Sequence, residues 1–193
     1  MDRVGLLKSI LEISKINHKD AILKEPGLKD AHIYCLLHKI PSQAYGVLLE
    51  NYIITRFNFK KNNASHCSGD CSKHDCNIEI KSSLGGQKRN KFNFVQIRLN
   101  PQITFFIFTA FYLCPENVDQ EGELFLFKIP LQQMKQLVLN YGGYAHGTIK
   151  EHGKIVSESL EDAENKREYA IRPVFNDKCW KALMPFRIQE SDL

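Results

Sequence analysis

The sequence lacks an apolar run long enough to cross a membrane. Its longest apolar stretch, residues 103–113, is shorter than the roughly 20 residues that a transmembrane helix needs, and it predicts a buried strand. Residues 1–5 also lack the basic and apolar pattern of a signal peptide. These absences predict a cytoplasmic protein with no membrane partner, in which the six cysteines stay reduced.

The chain also lacks a strong charge imbalance, internal repeats and low-complexity tracts. Its 193 residues carry a formal net charge of +4, which permits a nucleic-acid partner without requiring one. The hydrophobic fraction of 43% and the charged fraction of 25% are typical of a globular protein. This length suits one domain, or one domain with a helical extension.

Apolar periodicity predicts helices first and a mixed sheet afterwards. The first two helical patterns, at residues 2–16 and 29–39, form a helical N-terminal part within residues 1–40. The later elements are predicted as a helix at 42–57, strands at 78–82, 103–113 and 123–129, a helix at 130–139, a strand at 169–174, a helix at 177–184, and either a strand or a short helix at 92–99. This order is typical of α/β or α+β proteins, and we favour an α/β mixed sheet flanked by helices over residues 41–193.

Residues 69–81 carry the most informative pattern, GDCSKHDCNIEIK. On a strand, the two isoleucines of this run face one side, so Glu79 and Lys81 share the other. Asp70 lies a short hairpin upstream, from which its carboxylate can reach the same side. Two carboxylates and one ammonium at a strand end form a site for a hard divalent cation beside a phosphate. The pattern therefore predicts metal-dependent phosphodiester hydrolysis.

These acids are open to other interpretations. Glu79 and Lys81 are also compatible with a solvated strand face, because Glu-x-Lys is a common combination. The flanking isoleucines and the preceding Gly69-Asp70 pair favour the catalytic interpretation. Asp75 competes with Asp70, and we favour Asp70 because it follows a turn-forming glycine and lies farther from the strand.

Glu50 is a fourth candidate, on a helix. Its neighbours one turn away are apolar or glycine, and a carboxylate on an apolar face needs a partner or a metal. The alternative is a glutamate at the helix edge that binds a nearby arginine.

Residues 45–83 resemble the active-site region of type II restriction endonucleases with the PD-(D/E)xK core. In that family a helix carrying a glutamate precedes a Gly-Asp hairpin, and the next strand carries Glu-x-Lys-Ser-Ser. Glu50, Gly69-Asp70 and residues 79–83 match these parts, with glycine in place of the proline in the family's name. The resemblance implies a restriction-endonuclease-like fold and Mg²⁺-dependent, sequence-specific hydrolysis of double-stranded DNA that leaves 5′-phosphate ends.

The resemblance also implies a role for each site residue. Asp70 and Glu79 would bind Mg²⁺, for which Mn²⁺ can substitute, with the Ile80 carbonyl as a further ligand. Glu50 would support a second metal or its hydration shell. Lys81 would orient or deprotonate the attacking water and stabilise the charge of the transition state.

The resemblance further implies the partners of such an enzyme. One site cuts one strand, so a double-strand cut implies a homodimer on a palindromic target, with the helices of residues 1–40 as the candidate interface. A cognate DNA methyltransferase would protect the host DNA.

Other residues are candidates for contacts with DNA. The glycine-rich segment 141–154 offers donors and acceptors, within a loop-rich region from 141 to 168 where we expect recognition of bases. An ordinary exposed hairpin is the alternative. The candidate DNA-binding residues are Tyr144, His146, Thr148 and Lys150 in that segment, and Lys88, Arg89, Gln96 and Arg98 nearer the site, the basic ones for phosphates.

Cysteine and histidine also crowd into residues 66–76. Soft ligands at this density suggest zinc, with Cys67, Cys71, His74 and Cys76 as the candidate ligands. Their spacing is tighter than in common zinc modules, so a polar hairpin that carries thiols is the alternative. Two alternative functions therefore stay open: a zinc-stabilised nucleic-acid binding module without catalytic activity, and a repair or junction-resolving nuclease with the same core.

Overall fold

A computed structural model of the chain describes residues 42–63, 69–85, 90–112, 123–162 and 166–193. The helices predicted at 2–16 and 29–39, and with them the predicted dimerisation part, lie outside these residues. Within the described ranges, no helix is long and apolar enough to span a membrane.

The described part of the chain contains five α-helices, nine strands and two 3₁₀ helices, the latter at Met184–Phe186 and Glu190–Asp192. The helices are α1 (Ser42–Arg56), α2 (Leu131–Tyr141), α3 (Ile149–His152), α4 (Ser157–Glu161) and α5 (Lys178–Leu183). The strands are β1 (Lys60–Lys61), β2 (Cys71–Lys73), β3 (Cys76–Gly85), β4 (Phe94–Ile97), β5 (Phe105–Tyr112), β6 (Glu123–Pro130), β7 (Gly142–Tyr144), β8 (Tyr169–Ile171) and β9 (Arg187–Ile188). The elements predicted from residue 42 onwards are therefore confirmed, and residues 92–99 contain a strand.

A mixed sheet of six strands forms the centre of the described part. Its order is β1-β2-β3-β5-β6-β9, in which β3 and β5 pair in parallel and the other neighbours pair antiparallel. Both faces of β5 are covered: Phe106 and Phe108 enter one core, and Ile107 between them enters another. This two-sided burial explains the continuous apolar run that marks β5 in the sequence. The predicted α/β class, with a mixed sheet and helices, is confirmed.

A smaller antiparallel sheet has the order β4-β8-β7. The sequence predicted residues 141–168 as loop-rich, but they contain β7, α3 and α4. These elements span only three to five residues each, so they show little periodicity in the sequence. They form because they pair or pack against distant parts of the chain.

Two apolar cores hold these layers together. The larger core combines side chains from both sheets, α2 and α5, and Trp180 lies at its aromatic centre. The Trp180 ring stacks on Phe92 with centroids 4.7 Å apart and meets Phe125 edge-on at 5.0 Å. The smaller core lies under α1, where Ile53 and Ile54 pack with the buried isoleucines of β3. β3 is thereby held against α1, which positions the candidate site.

The β2–β3 hairpin depends on the backbone conformation of Gly69. Its φ of +87° lies in the left-handed region, and a Cβ there would stand 2.6 Å from the carbonyl oxygen of Ile78. Proline is restricted to φ near −65° and cannot adopt this conformation. Glycine, and not proline, therefore precedes Asp70 in this chain.

Replacing Gly69 should destabilise the protein. Gly69→Ala should lower the free energy of unfolding by about 1–3 kcal/mol, because alanine is strained at this φ and its Cβ meets backbone. Gly46→Ala is the matched control in α1, since an added Cβ there has no atom within 4 Å. It should raise the free energy of unfolding by about 0.5–1 kcal/mol, as alanine does in a helix. Denaturant unfolding measures both, and an undiminished stability of Gly69→Ala would contradict the described hairpin.

Candidate active site

A cavity of about 610 Å³ lies beside the base of the β2–β3 hairpin. Its wall includes Glu50 from α1, Asp70 just before β2, and Glu79 and Lys81 from β3. All four predicted catalytic side chains thus lie around one space. Further polar residues of the wall are Lys61, Asn62, Gln96, Arg98 and Asn100.

Strand alternation in β3 turns Glu79 and Lys81 towards this cavity. Ile78 and Ile80 are buried in the core beneath α1, on the opposite face. Glu79 is only 7% exposed, and Lys81 Nζ donates to its Oε1 at 2.5 Å. The predicted division of the two strand faces is confirmed.

Two hydrogen bonds to β3 fix Asp70. Its backbone N–H donates to the Ile78 carbonyl at 2.9 Å, and its Oδ2 accepts from the Ile80 N–H at 2.7 Å. The carboxylate is thereby held beside Glu79. Asp75, the competing acid, is exposed in the turn between β2 and β3. The geometry supports Asp70 as the acid of the site.

The negative charge of Asp70 acts on both glutamates of the cavity. Burial raises the pKa of Glu79, and this outweighs the lowering by Lys81, while the charge of Asp70 raises that pKa further. Burial also raises the pKa of Glu50, as does the charge of Asp70, and Lys61 acts against both. Desolvated carboxylates that repel one another are stabilised by a bound divalent cation. The donor set therefore fits a hard ion such as Mg²⁺.

The acids of the cavity come from three separate elements: Glu50 from α1, Asp70 from just before β2, and Glu79 from β3. Within the described ranges, no group of three His, Cys, Asp or Glu side chains is close enough to hold a metal ion. Lys81 binds one oxygen of Glu79, and the Ile80 N–H binds one oxygen of Asp70. Glu50 and the Ile80 carbonyl remain predicted further ligands.

Lys61 is a residue of the cavity that the sequence analysis missed. Its Nζ lies 3.5 Å from Glu50 Oε1 and donates to Asn51 Oδ1 at 2.7 Å. The basic partner expected for Glu50 is thus a lysine, not an arginine. β1 is two residues long and shows no alternation, so the sequence carries no signal that would place Lys61 here.

A bulge in β4 turns Gln96 and Arg98 towards the cavity. Gln96 has a φ of +57°, and the register of β4 against β8 shifts between Phe94 and Ile97. Because of the extra residue, Phe94 and Ile97 are both buried, while Gln96 and Arg98 are exposed and line the cavity. A left-handed non-glycine residue is uncommon, and such residues are concentrated at functional sites.

Arg98 binds Glu168, a second residue that the sequence analysis missed. Arg98 Nε and one terminal nitrogen donate to Glu168 Oε1 at 2.8 and 2.5 Å. His146 Nε2 lies 3.3 Å from the other carboxylate oxygen. Glu168 and His146 also line a second cavity of about 590 Å³. The ion pair thus lies where the two cavities meet, and its members are 70 residues apart in the chain.

The segment 141–154 is more structured than predicted. Tyr144 is only 8% exposed and its hydroxyl donates to the Gly153 carbonyl at 3.0 Å, so it packs in the larger core, and it also lines the second cavity. The Thr148 N–H donates to the Glu151 carboxylate at the start of α3. The exposed members of the predicted DNA-binding set in this segment are His146, Thr148 and Lys150. Lys88 and Arg89 lie outside the described residues.

Within the described part of the hairpin, Cys71, His74 and Cys76 do not form a group that could hold a metal ion. Cys71 is fully buried under α1, and burial raises its pKa to about 12. His74 is exposed in the turn, Cys76 is half-buried, and Cys67 lies outside the described residues. Because zinc binds the thiolate, the position of Cys71 favours a packing role. The alternative of a polar hairpin that carries thiols therefore fits better than a zinc site.

Comparison with known proteins assigns no family. No protein-family model matches the chain, and no curated protein matches it either. Its function is inferred from the residues and the geometry of the cavity.

Mg²⁺ should bind in this cavity and raise the melting temperature. Asp70→Asn removes one negative charge but keeps an oxygen that accepts the Ile80 hydrogen bond, so the fold should persist while the Mg²⁺ affinity falls at least about tenfold. Calorimetric titration, and melting with Mg²⁺ or with chelator, measure both effects.

Asp75→Asn is the matched control for this variant. It makes the same change at an exposed position of the same hairpin, where the φ of +63° suits asparagine. Its Mg²⁺ affinity should equal that of the wild type. Equal weakening in both variants would contradict a metal site at Asp70.

Proposed function

We propose that this protein is a Mg²⁺-dependent endonuclease that hydrolyses phosphodiester bonds in double-stranded DNA through a PD-(D/E)xK-type site. The observation that carries the proposal is the single cavity lined by Asp70, Glu79 and Lys81, with Glu50 on the side of α1. Clustered carboxylates beside an ammonium suit metal-assisted attack of water on a phosphate. The resemblance of residues 45–83 to type II restriction endonucleases supports the same chemistry.

Some residues of the cavity would hold the metal, and Lys81 would assist the reaction. Asp70 and Glu79 would hold Mg²⁺ or Mn²⁺, with the Ile80 carbonyl and Glu50 as further donors. Bound there, the ion would polarise the scissile phosphate and make a bound water more acidic. Lys81, now held by Glu79 at 2.5 Å, would orient the attacking water and stabilise the negative charge that develops on the phosphate.

The cations of the cavity support a polyanionic substrate. Lys61 and Arg98 line it with side chains that are 52% and 64% exposed, and the chain carries a net charge of +4. Lysine and arginine at the mouth of a site bind the phosphates of a nucleic acid and set its position without reading its sequence.

Sequence-specific cleavage, as by a type II restriction endonuclease, is the specific form of this proposal. The exposed donors His146, Thr148 and Lys150 would read bases, and a homodimer would cut both strands. The enzyme would act in the cytoplasm, beside a cognate DNA methyltransferase. A repair or junction-resolving nuclease would use the same cavity on damaged or branched DNA, so the preferred substrate separates the two.

Cleavage of unmethylated plasmid or phage DNA with Mg²⁺ tests the proposal. The wild type should give discrete bands. Asp70→Asn and Lys81→Gln should each lower the rate by at least about 10²-fold, because one removes a metal ligand and the other the positive charge near the phosphate. Lys81→Gln keeps a side chain that can donate to Glu79, so the fold should be preserved.

Matched variants control for charge. Asp75→Asn and Lys178→Gln make the same changes at exposed positions, in the hairpin turn and in α5, and should cleave at about the wild-type rate. Full activity of Lys81→Gln would contradict the assigned role of Lys81. Duplex binding without cleavage by the wild type would favour the non-catalytic binding module, and preferential cutting of branched DNA would favour the junction-resolving enzyme.

A further inference from the structure

The Arg98–Glu168 ion pair connects the walls of the two cavities. Arg98 lines the candidate catalytic cavity, and Glu168 lines the second one. Both hydrogen bonds from Arg98 end on the same oxygen, Glu168 Oε1, while Oε2 faces His146. The guanidinium is thus engaged by a carboxylate at the rim of the place where a phosphate would be cut.

This ion pair has the properties of an exchangeable contact. The Arg98 side chain is 64% exposed, so it stays hydrated in either partnership, and exposed ion pairs contribute little net stability. Glu168 is 17% exposed, and its backbone carbonyl accepts a hydrogen bond from the Ala145 N–H at 2.8 Å. It would keep its position and its contact with His146 after Arg98 moved away.

Resting on the nuclease function proposed above, we propose that Arg98 is a binding site for a DNA backbone phosphate and that Glu168 occupies it until DNA arrives. A phosphate offers the same planar pair of acceptors to the guanidinium as a carboxylate, so it can replace Glu168 directly. Glu168 then acts as a competitor for this phosphate site, because every duplex that enters must displace its charge from Arg98.

The basic residues of the second cavity could hold a DNA strand that continues past Arg98. Lys166 and Arg167 line that cavity immediately before Glu168 in the chain, and His146 and His152 line it from the segment 141–154. A strand that passes Arg98 on leaving the catalytic cavity would therefore meet further basic groups, which hold its phosphates.

Binding of a random-sequence duplex of about 30 base pairs, in chelator so that no cleavage occurs, tests the exchange. Glu168→Gln removes the competing charge and should tighten binding about 3–10-fold at low salt. Glu123→Gln is the matched control: Glu123 also binds an arginine, Arg187, at 2.8 Å, at the β6–β9 edge of the main sheet. The same loss of one charge there should change the affinity by less than about twofold.

A double-mutant cycle with Arg98→Gln distinguishes the exchange from a general charge effect. Arg98→Gln alone should weaken binding and reduce the slope of affinity against salt by about one phosphate contact. In the Arg98→Gln background, Glu168→Gln should bring no further gain, because there is no guanidinium left to release.

The two proposals can fail separately. A gain from Glu168→Gln that persists without Arg98, or that Glu123→Gln reproduces, would overturn the exchange. If the wild type cleaves DNA but the cycle shows no coupling, only the assignment of Arg98 and Glu168 is wrong. If the wild type neither binds the duplex in chelator nor cleaves DNA with Mg²⁺, the nuclease proposal is wrong as well.

Discussion

The hydrogen bond from the Ile80 N–H to the Asp70 carboxylate is the contact on which the rest of the site depends. Together with the bond from the Asp70 N–H to the Ile78 carbonyl, it holds an acid from outside β2 against the strand that carries Glu79. Repulsion between the two carboxylates acts against this arrangement, and two backbone bonds from a buried strand oppose it. The φ of +87° at Gly69 brings the chain into position for both bonds.

β3 contributes side chains to both the smaller core and the candidate site, so its register decides which residues face the cavity. The isoleucines of β3 pack under α1, and the alternate residues Glu79 and Lys81 face the cavity. A slip of one residue would turn the isoleucines into the cavity and bury the Lys81 ammonium in the core. Burying that charge would strongly destabilise the folded state. The parallel pairing of β3 with β5 along eight residues prevents such a slip. Lys81, the lysine proposed to assist the reaction, also partly offsets the burial of Glu79.

The parts of the fold with strong periodicity could be predicted from the sequence, and the parts made by long-range pairing could not. β3 and α2 follow apolar periodicity, β5 and β6 are long apolar runs, and α1, whose periodicity is weak, follows from Ser42 as a cap after Pro41. Alternation alone placed Glu79 and Lys81 together. The bulge at Gln96 has no sequence signal, because its left-handed φ arises where β4 meets β8, more than 70 residues away. Tyr144 resembled an exposed residue in a glycine-rich loop, yet it is buried in the larger core, where β7 pairs with β8 and its ring stacks on Tyr169. Ion pairs such as that of Arg98 with Glu168 also leave no local pattern in the sequence, because their members are far apart in the chain.

Three ion pairs of the described residues surround the candidate catalytic cavity, and they link the two ligands of the proposed nuclease. Among the described residues, Lys81 binds Glu79, Lys61 lies against Glu50, and a third basic residue at the rim binds a fourth acid. A metal held by the carboxylates would compete with the two lysines and leave their charges free for a phosphate. A phosphate at the rim would, in turn, add the negative charge that a divalent cation requires nearby. Each ligand thus lowers the electrostatic cost of binding the other, so metal and DNA should bind with positive coupling, which is reciprocal by thermodynamic linkage.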